Sequence, residues 1–282
     1  MKRSVLLPLL LLSLRVAASE PQDNSIGIVL SGGAARGFAH LGVLQALEDN
    51  GIYPTHVAGS SMGAVLGSVY AAGNSPSKIY NFARKQNYVK LYRPSLQGAL
   101  FKPVFLEHLL NSMVSHNSFD SLQKKLYVCM TNLNLAKSEI ASSGTFKDKV
   151  VASASIPFVF QPAIIDSFTY MDGGLLNNLP SNALRDKCKH VICVSVSSCV
   201  DLTQEQLKGL NSIMRCVLMV IMGNEIPQHK HCDYYIEVAQ AGNIGLMEFH
   251  RVEEFYAMGY EATMSYIKSN PDILKLATRK QE

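Results

Sequence analysis

Gly59-Ser60-Ser61-Met62-Gly63 lies between Thr55-His56-Val57-Ala58, a short apolar run of strand character, and residues 64–72, a run of helical character. A strand, a sharp turn with serine at its apex and then a helix make a nucleophile elbow. Glycines two residues either side of Ser61 suit such a turn. It brings backbone against backbone, and a Cβ there clashes. The frame selects Ser61 over Ser60, because centring on Ser60 puts Ala58 and the bulky Met62 at the flanking positions. The helix that follows turns its positive N-terminal end toward the serine oxygen.

Outward from the elbow, strand and helix patterns alternate. Residues 26–30 are a compact β-branched run followed by glycines. Residues 38–50 carry Leu41, Leu44 and Leu47 at helical spacing, and Gly51 stops them. Gly63, Gly67 and Ala71 give the elbow helix a smooth face that can lie close to a sheet. The spacing predicts helices over 77–85 (capped by Ser75 or Ser77), 103–113, 147–155, 179–188 and 251–269. A further helix over 203–222 has Leu207, Leu210, Met214, Val217 and Ile221 on one face. Strands are expected over 125–131, 139–142, 190–196 and 233–238, with two short ones over 163–170 around Asp166-Ser167. This alternation implies an α/β fold of three layers, a mainly parallel central sheet flanked by helices. Sites in such sheets lie beyond the carboxyl ends of the strands, where Ser31 and Ser61 both fall.

The chain has 282 residues, 48% hydrophobic and 17% charged, enough for a full core. No linker, charge block or repeat divides it, which predicts one catalytic domain over 19–282 with its core over about 25–270. Residues 1–18 read as a signal peptide: Lys2 and Arg3, an apolar run over 4–14 too short to span a bilayer, then Val16-Ala17-Ala18 before the cleavage point. The expected destination is periplasmic or secreted. An uncleaved N-terminal anchor is the alternative. Removing Lys2, Arg3 and Arg15 from the 26 basic residues leaves 23 against 22 acidic, a net of +1. That balance lacks the clustered basic footprint of nucleic-acid binding. Six cysteines allow 15 full pairings, and their spacing fits no zinc template. Cys193, inside an apolar strand, reads as a buried thiol. His229, His231 and Cys232 resemble metal ligands, but they run along a loop into a strand. No metal or cofactor is expected.

Two more segments bear on the elbow. Ser31-Gly32-Gly33-Ala34-Ala35-Arg36-Gly37 joins a strand to a helix and turns several backbone N–H groups toward one point. A dinucleotide turn needs Gly-x-Gly-x-x-Gly and a later acidic residue. Position three here is Ala34, and no acid lies between Tyr53 and Ala58. A phosphate loop needs Gly-Lys-Ser/Thr, which is absent. An oxyanion hole fits, because the elbow ends the next strand, and each well-placed donor lowers the barrier by about 3 kcal/mol. The other segment is Tyr170-Met171-Asp172-Gly173-Gly174, followed by Asn177 and Pro180. By itself it also reads as an ordinary Asp-Gly turn.

Residues 32–44 (Gly32-Gly33-Ala34-Ala35-Arg36-Gly37-Phe38-Ala39-His40-Leu41-Gly42-Val43-Leu44), Gly59-Ser60-Ser61-Met62-Gly63 and Asp172-Gly173-Gly174 resemble, in order and spacing, the patatin-like phospholipase family. The similarity continues through Ala154-Ser155-Ile156-Pro157, Asn177-Asn178-Leu179-Pro180 and Ile244-Gly245-Leu246. One departure is Ala34, where many relatives carry a third glycine. The resemblance implies a lipid acyl hydrolase with a Ser–Asp dyad and an acyl-enzyme intermediate. Ser61 is the implied nucleophile and Asp172 the base. Gly32, Gly33, Ala34, Ala35, Arg36 and Gly37 form the implied oxyanion loop. Gly59, Gly63, Gly173 and Gly174 are the implied turn glycines, and Arg36 steadies the loop or meets a lipid phosphate.

A Ser-Asp-His triad is the alternative mechanism, since His190, His229, His231 and His250 all follow Asp172. His40, just after the glycine turn, reads as packing. Residues 87–103 interleave aromatic and basic side chains and read either as a membrane-interface lid or as a half-buried loop. The expected partners are an acyl-lipid substrate and a membrane surface touched peripherally, without nucleic acid. The competing functions are a carboxylesterase for short soluble esters and a catalytically idle lipid-binding protein.

Overall fold

The computed structural model describes residues 25–88, 93–94, 101–102 and 104–278. β1 (Ile26–Leu30) leads through a 3-10 turn to α1 (Ala39–Asp49), and β2 (His56–Ser60) leads directly into α2 (Met62–Ala71). α3 (Pro76–Ala83) and α4 (Val104–Met113) follow, then β3 (Lys125–Asn132), β4 (Lys137–Ala141), α5 (Lys147–Ser153), β5 (Ala163–Ile165) and β6 (Phe168–Asp172). The chain continues as β7 (His190–Ser195), α6 (Leu210–Glu225), β8 (Tyr234–Glu237) and α7 (Val252–Ser269).

Hydrogen bonding runs β8-β7-β1-β2-β3-β6-β5, with β4 also paired to β3. The pairings from β8 through β3 are parallel. Those that β4, β5 and β6 make are antiparallel. The central strands are buried on both faces, which is why their sequences read as continuous apolar runs. Ile28, Leu30, Val57, Ile192 and Val194 point into one core with Leu41, Leu44, Leu66 and Phe255 of the helices. Val29, Ala58, Val191 and Cys193 point the other way, against Leu179, Leu184 and Cys188.

Two helix contacts are set by glycine. Gly63 of α2 lies on the carbonyls of Leu30 and Ser31, and Gly67 faces Val57, so the smooth face does rest on the sheet. Gly42 of α1 sits against the Tyr256 carbonyl of α7, while Gly259 of α7 sits against the Ala39 carbonyl, and a Cβ at either would collide.

The register of β3 decides where the site forms. Cys129 pairs with Ser60 of β2 and with Ile140 of β4. The next residue, Met130, pairs with Glu139 of β4 and with Asp172 of β6. A strand has only two edges, and β4 holds one from Val128 to Asn132. On the other edge β6 therefore takes over where β2 stops, and the two strands meet end to end at Ser60 and Asp172.

Some expectations are corrected. Residues 179–188 form one 3-10 turn, Ser181–Ala183, and further turns rather than a helix. The Ser181 hydroxyl is drawn to Gln228 O, and Arg185 binds the carbonyls of Cys188 and Lys189. Helix α6 begins at residue 210 rather than 203, because Gly209 precedes it in the left-handed region at φ 60°. Cys193 is not a free thiol: it is bonded to Cys232, which lies just ahead of the strand beside it. Cys232 sulfur is thereby taken from the His229/His231 cluster. Tyr88, read with the aromatic-basic loop, is buried among Phe38, Phe105 and Phe249. Most of that loop, and the proposed signal peptide, lie outside the described residues.

Candidate active site

Ser61 occupies the turn between β2 and α2 with φ 52° and ψ −129°, a conformation a non-glycine residue holds only where its surroundings enforce it. The surroundings are backbone. A Cβ on Gly59 would lie 2.6 Å from Ala64 N, and one on Gly63 would strike the Leu30 carbonyl. Ser61 N–H donates to Ser153 Oγ at 3.0 Å, and that hydroxyl donates in turn to Cys129 O.

Asp172 ends β6 directly opposite. Ser61 Oγ donates to Asp172 Oδ2 at 2.6 Å, and Asp172 Oδ1 accepts from Gly174 N at 2.8 Å. The aspartate backbone is fixed on both sides. Its carbonyl accepts from Thr131 Oγ1 at 2.9 Å, and its N–H donates to Ser155 O at 3.0 Å. Gly173 is pressed on Cys129 O and Ser60 Oγ, so no side chain fits there. Ser61 and Asp172 are both buried. Burial raises the Asp172 pKa to about 6, against the lowering effect of the bonds from Ser61 and Gly174.

The glycine loop divides by what its amides do. Gly32 N–H is turned to Asn178, whose Oδ1 accepts it at 3.1 Å. Ala35 N–H donates to Leu246 O and Arg36 N–H to Gly33 O. Gly33 and Ala34 N–H find no acceptor among the described residues, and both residues line the same cavity as Ser61. Ala34 holds φ 49°, a left-handed conformation where glycine is the usual residue. Gly37 packs on the Met62 side chain. Arg36 is buried, which lowers its pKa, and its guanidinium donates to Ile244 O, Ser198 O and Gly242 O. Of its two sequence readings, the structure displays loop support.

Two residues behind the loop were not singled out by sequence reasoning. Asn178 Nδ2 donates to Glu225 Oε1 and to Ser197 Oγ, and Ser195 Oγ donates to Glu225 Oε2 at 2.7 Å. Asn224 bonds Asn178 N–H and Gly174 O, tying the aspartate turn to the end of α6. Glu225 is 4% exposed, and burial raises its pKa. Asn178 carried a signal, since it sits in the segment that follows Asp172. Glu225 carried none.

No histidine among the described residues hydrogen-bonds Ser61 or Asp172. His40 is fully buried with Nε2 2.8 Å from Ser31 O, and burial lowers its pKa to about 4, so it is neutral. His250 lies on the surface beside Glu248.

A narrow cavity opens above Ser61 and Asp172. Gly33, Ala34, Ser61 and Asp172 form its floor, Ile156 and Pro157 one side, and Met214, Val217, Leu218 and Ile221 of α6 its roof. Of the α6 face expected from spacing, Met214, Val217 and Ile221 line the cavity, whereas Leu207 precedes the helix and is exposed. Buried hydroxyl, carboxylate, free amides and an apolar tunnel together suit attack on an ester carbonyl attached to a hydrocarbon chain.

A family model described as patatin-like phospholipase matches residues 28–185. An uncharacterized NTE family protein of Mycobacterium tuberculosis is 32% identical over 172 residues, 60% of this chain and 47% of that protein. Patatin-like phospholipase domain-containing protein 6 of Homo sapiens is 29% identical over 185 residues, 62% of this chain and 14% of that protein. The chain thus spans less than half the length of either relative. VipD from Legionella pneumophila shares the fold, with a TM-score of 0.51 at 17% identity over 89% of this chain and 68% of that one.

Proposed function

This chain belongs to the patatin-like phospholipase family, and from that premise we propose that it hydrolyses carboxylic esters of acyl lipids, in the manner of a phospholipase A or lysophospholipase. The observation that carries the reading is the 2.6 Å bond from Ser61 Oγ to Asp172 Oδ2, beneath two unpartnered amides. As Ser61 Oγ attacks the ester carbonyl carbon, its proton passes to Asp172. The oxyanion is taken by Gly33 and Ala34 N–H. The intermediate collapses, the alkoxide leaves with the proton from Asp172, and the acyl group stays on Ser61. Water then gives its proton to Asp172 and attacks, and Ser61 departs with that proton. A carboxyl with pKa about 6 is still ionised at neutral pH, yet is a stronger base than an exposed aspartate.

The arrangement of α6 supports the substrate class. Its inner face roofs the cavity, while Ile213, Met219 and Val220 on its outer face are exposed, as is Ile226 just beyond its end. A helix apolar on both faces beside the site mouth supports peripheral contact with a lipid surface. No helix among the described residues is long and apolar enough to cross a membrane. Export through residues 1–18 is part of the same proposal, and the Cys193–Cys232 bond supports an oxidising destination. N-terminal sequencing of the secreted product tests it, with Ser19 expected as the first residue.

The activity test uses the purified protein on a mixed lipid extract, read by mass spectrometry. Free fatty acids and lysolipids are expected, with a fluorophosphonate probe attached at Ser61. A probe that fails to label Ser61 removes the proposal.

A further inference from the structure

A second, open cleft adjoins the catalytic cavity, and the two share Met214, Leu218, Leu246 and Met247 as a common wall. The first compartment is apolar. The second presents Arg215, Asp201 and Glu248 among its lining residues. Helix α6 serves both: Val217 and Ile221 face only the catalytic cavity, Arg215 only the cleft, and Met214 and Leu218 both.

Two arginines border this cleft, and they are in different states. Arg36 gives its guanidinium to three backbone carbonyls, so it is part of the wall. Arg215 pairs with no carboxylate among the described residues, and it lies near enough to Arg36 for the two cations to repel. An unpaired, half-buried guanidinium beside a second positive charge attracts an anion. A planar fork of donors suits phosphate in particular. The two carboxylates lining the same cleft repel a plain anion but accept an attached cation. The pairing of signs therefore selects a headgroup carrying both charges.

We propose that this cleft is the headgroup subsite. Arg215 takes the phosphate of a zwitterionic phosphodiester headgroup, and Asp201 and Glu248 take its ammonium, while the acyl chain lies beyond the methionine-leucine wall beside Ser61. The inference rests on the lipid-hydrolase reading for its substrate and adds the residue that chooses the headgroup.

The test is equilibrium binding to full-length Ser61→Ala protein, so that nothing is turned over. The probes are a lysophospholipid with a phosphocholine head and a monoacylglycerol of the same chain, both below their micelle concentrations. One charge-assisted contact predicts a preference of about tenfold for the phosphocholine lipid. Arg215→Gln should erase that ratio, and Arg215→Lys should restore much of it. Asp201→Asn with Glu248→Gln should shift preference toward a lysophospholipid lacking the ammonium. Equal binding of the two probes, or a ratio untouched by Arg215→Gln, overturns the proposal. A protein with the headgroup ratio that cleaves no ester refutes the hydrolase reading alone. One that cleaves both lipids but binds them equally refutes the subsite alone.

Discussion

The floor and the roof of the catalytic cavity are built on opposite principles. The floor is backbone against backbone: Gly59, Gly63 and Gly173 each touch main-chain atoms of a neighbouring element. Ser153, Thr131 and Ser155 then pin Ser61 and Asp172 by hydrogen bonds. The roof is one helix, α6, that touches the site only through side chains and leaves Ile213, Met219 and Val220 exposed. A floor of this kind fixes distances to within a bond length. A roof of this kind fixes only polarity, which under the proposed function would tolerate many acyl chains. Chemistry and choice of substrate are therefore separable by mutation.

The largest effects belong to the floor. Ser61→Ala and Asp172→Asn should each lower ester hydrolysis by at least about a thousandfold, measured on a lipid and on a chromogenic ester. Asp172→Asn should also raise the thermal midpoint at pH 7. The folded protein holds the Asp172 proton up to about pH 6, whereas the unfolded chain releases it near 3.8. Stability is therefore lost as pH rises from about 4 to 6, by up to about 3 kcal/mol for a shift of this size, and asparagine removes that loss. A midpoint that drops would mean that the carboxylate stabilises its own site.

The same value sets a pH profile. The rate should fall as pH drops through about 6, because a protonated Asp172 cannot accept from Ser61. A flat profile down to pH 4.5 would break the assignment of the base.

Next in size is the layer behind the oxyanion loop. Glu225→Ala takes the carboxylate acceptor from the Asn178 amide, leaves it Ser197 Oγ, and so loosens the side chain that holds Gly32 N–H. About a tenfold to hundredfold loss in kcat is expected with KM changing less, since the donors act on the transition state. Glu225→Gln should recover part of it. Equal changes in kcat and KM, or none, would show that the loop needs no such support.

The smallest effects belong to the roof. Met219→Glu or Val220→Glu should weaken partition onto phosphatidylcholine vesicles by about fivefold each, as one exposed apolar side chain facing the lipid surface becomes charged. Unchanged partition would turn attention to the aromatic-basic loop over residues 87–103.

The contrast also explains what could be read from the chain alone. The floor was legible because only certain residues fit it. A serine forced to positive φ needs glycines at 59 and 63, and an aspartate that closes a strand against Cys129 O needs Gly173 after it. The sheet and α7 were legible from periodicity. Elements that depend on distant neighbours were not. Nothing near Glu225 reveals that Asn178 and Ser195 will converge on it from 47 and 30 residues away. The partner of Cys193 depends on β8 lying beside β7. The stretch over 179–188 reads as helical, yet Arg185 and Ser181 spend their polar groups on other segments. The Gly32 amide was counted among the oxyanion donors, but an asparagine side chain 146 positions away occupies it.

Because β2 and β6 abut on one edge of β3, the separation of Ser61 from Asp172 is counted in ladder rungs and owes nothing to the length of chain between them. The loops between them can lengthen or shorten without moving either atom, provided β3 keeps its count and Ser153 its place. The vulnerable quantity is alignment. A slip of β6 by a single rung would present Met171 where the carboxylate belongs and turn its neighbours inside out.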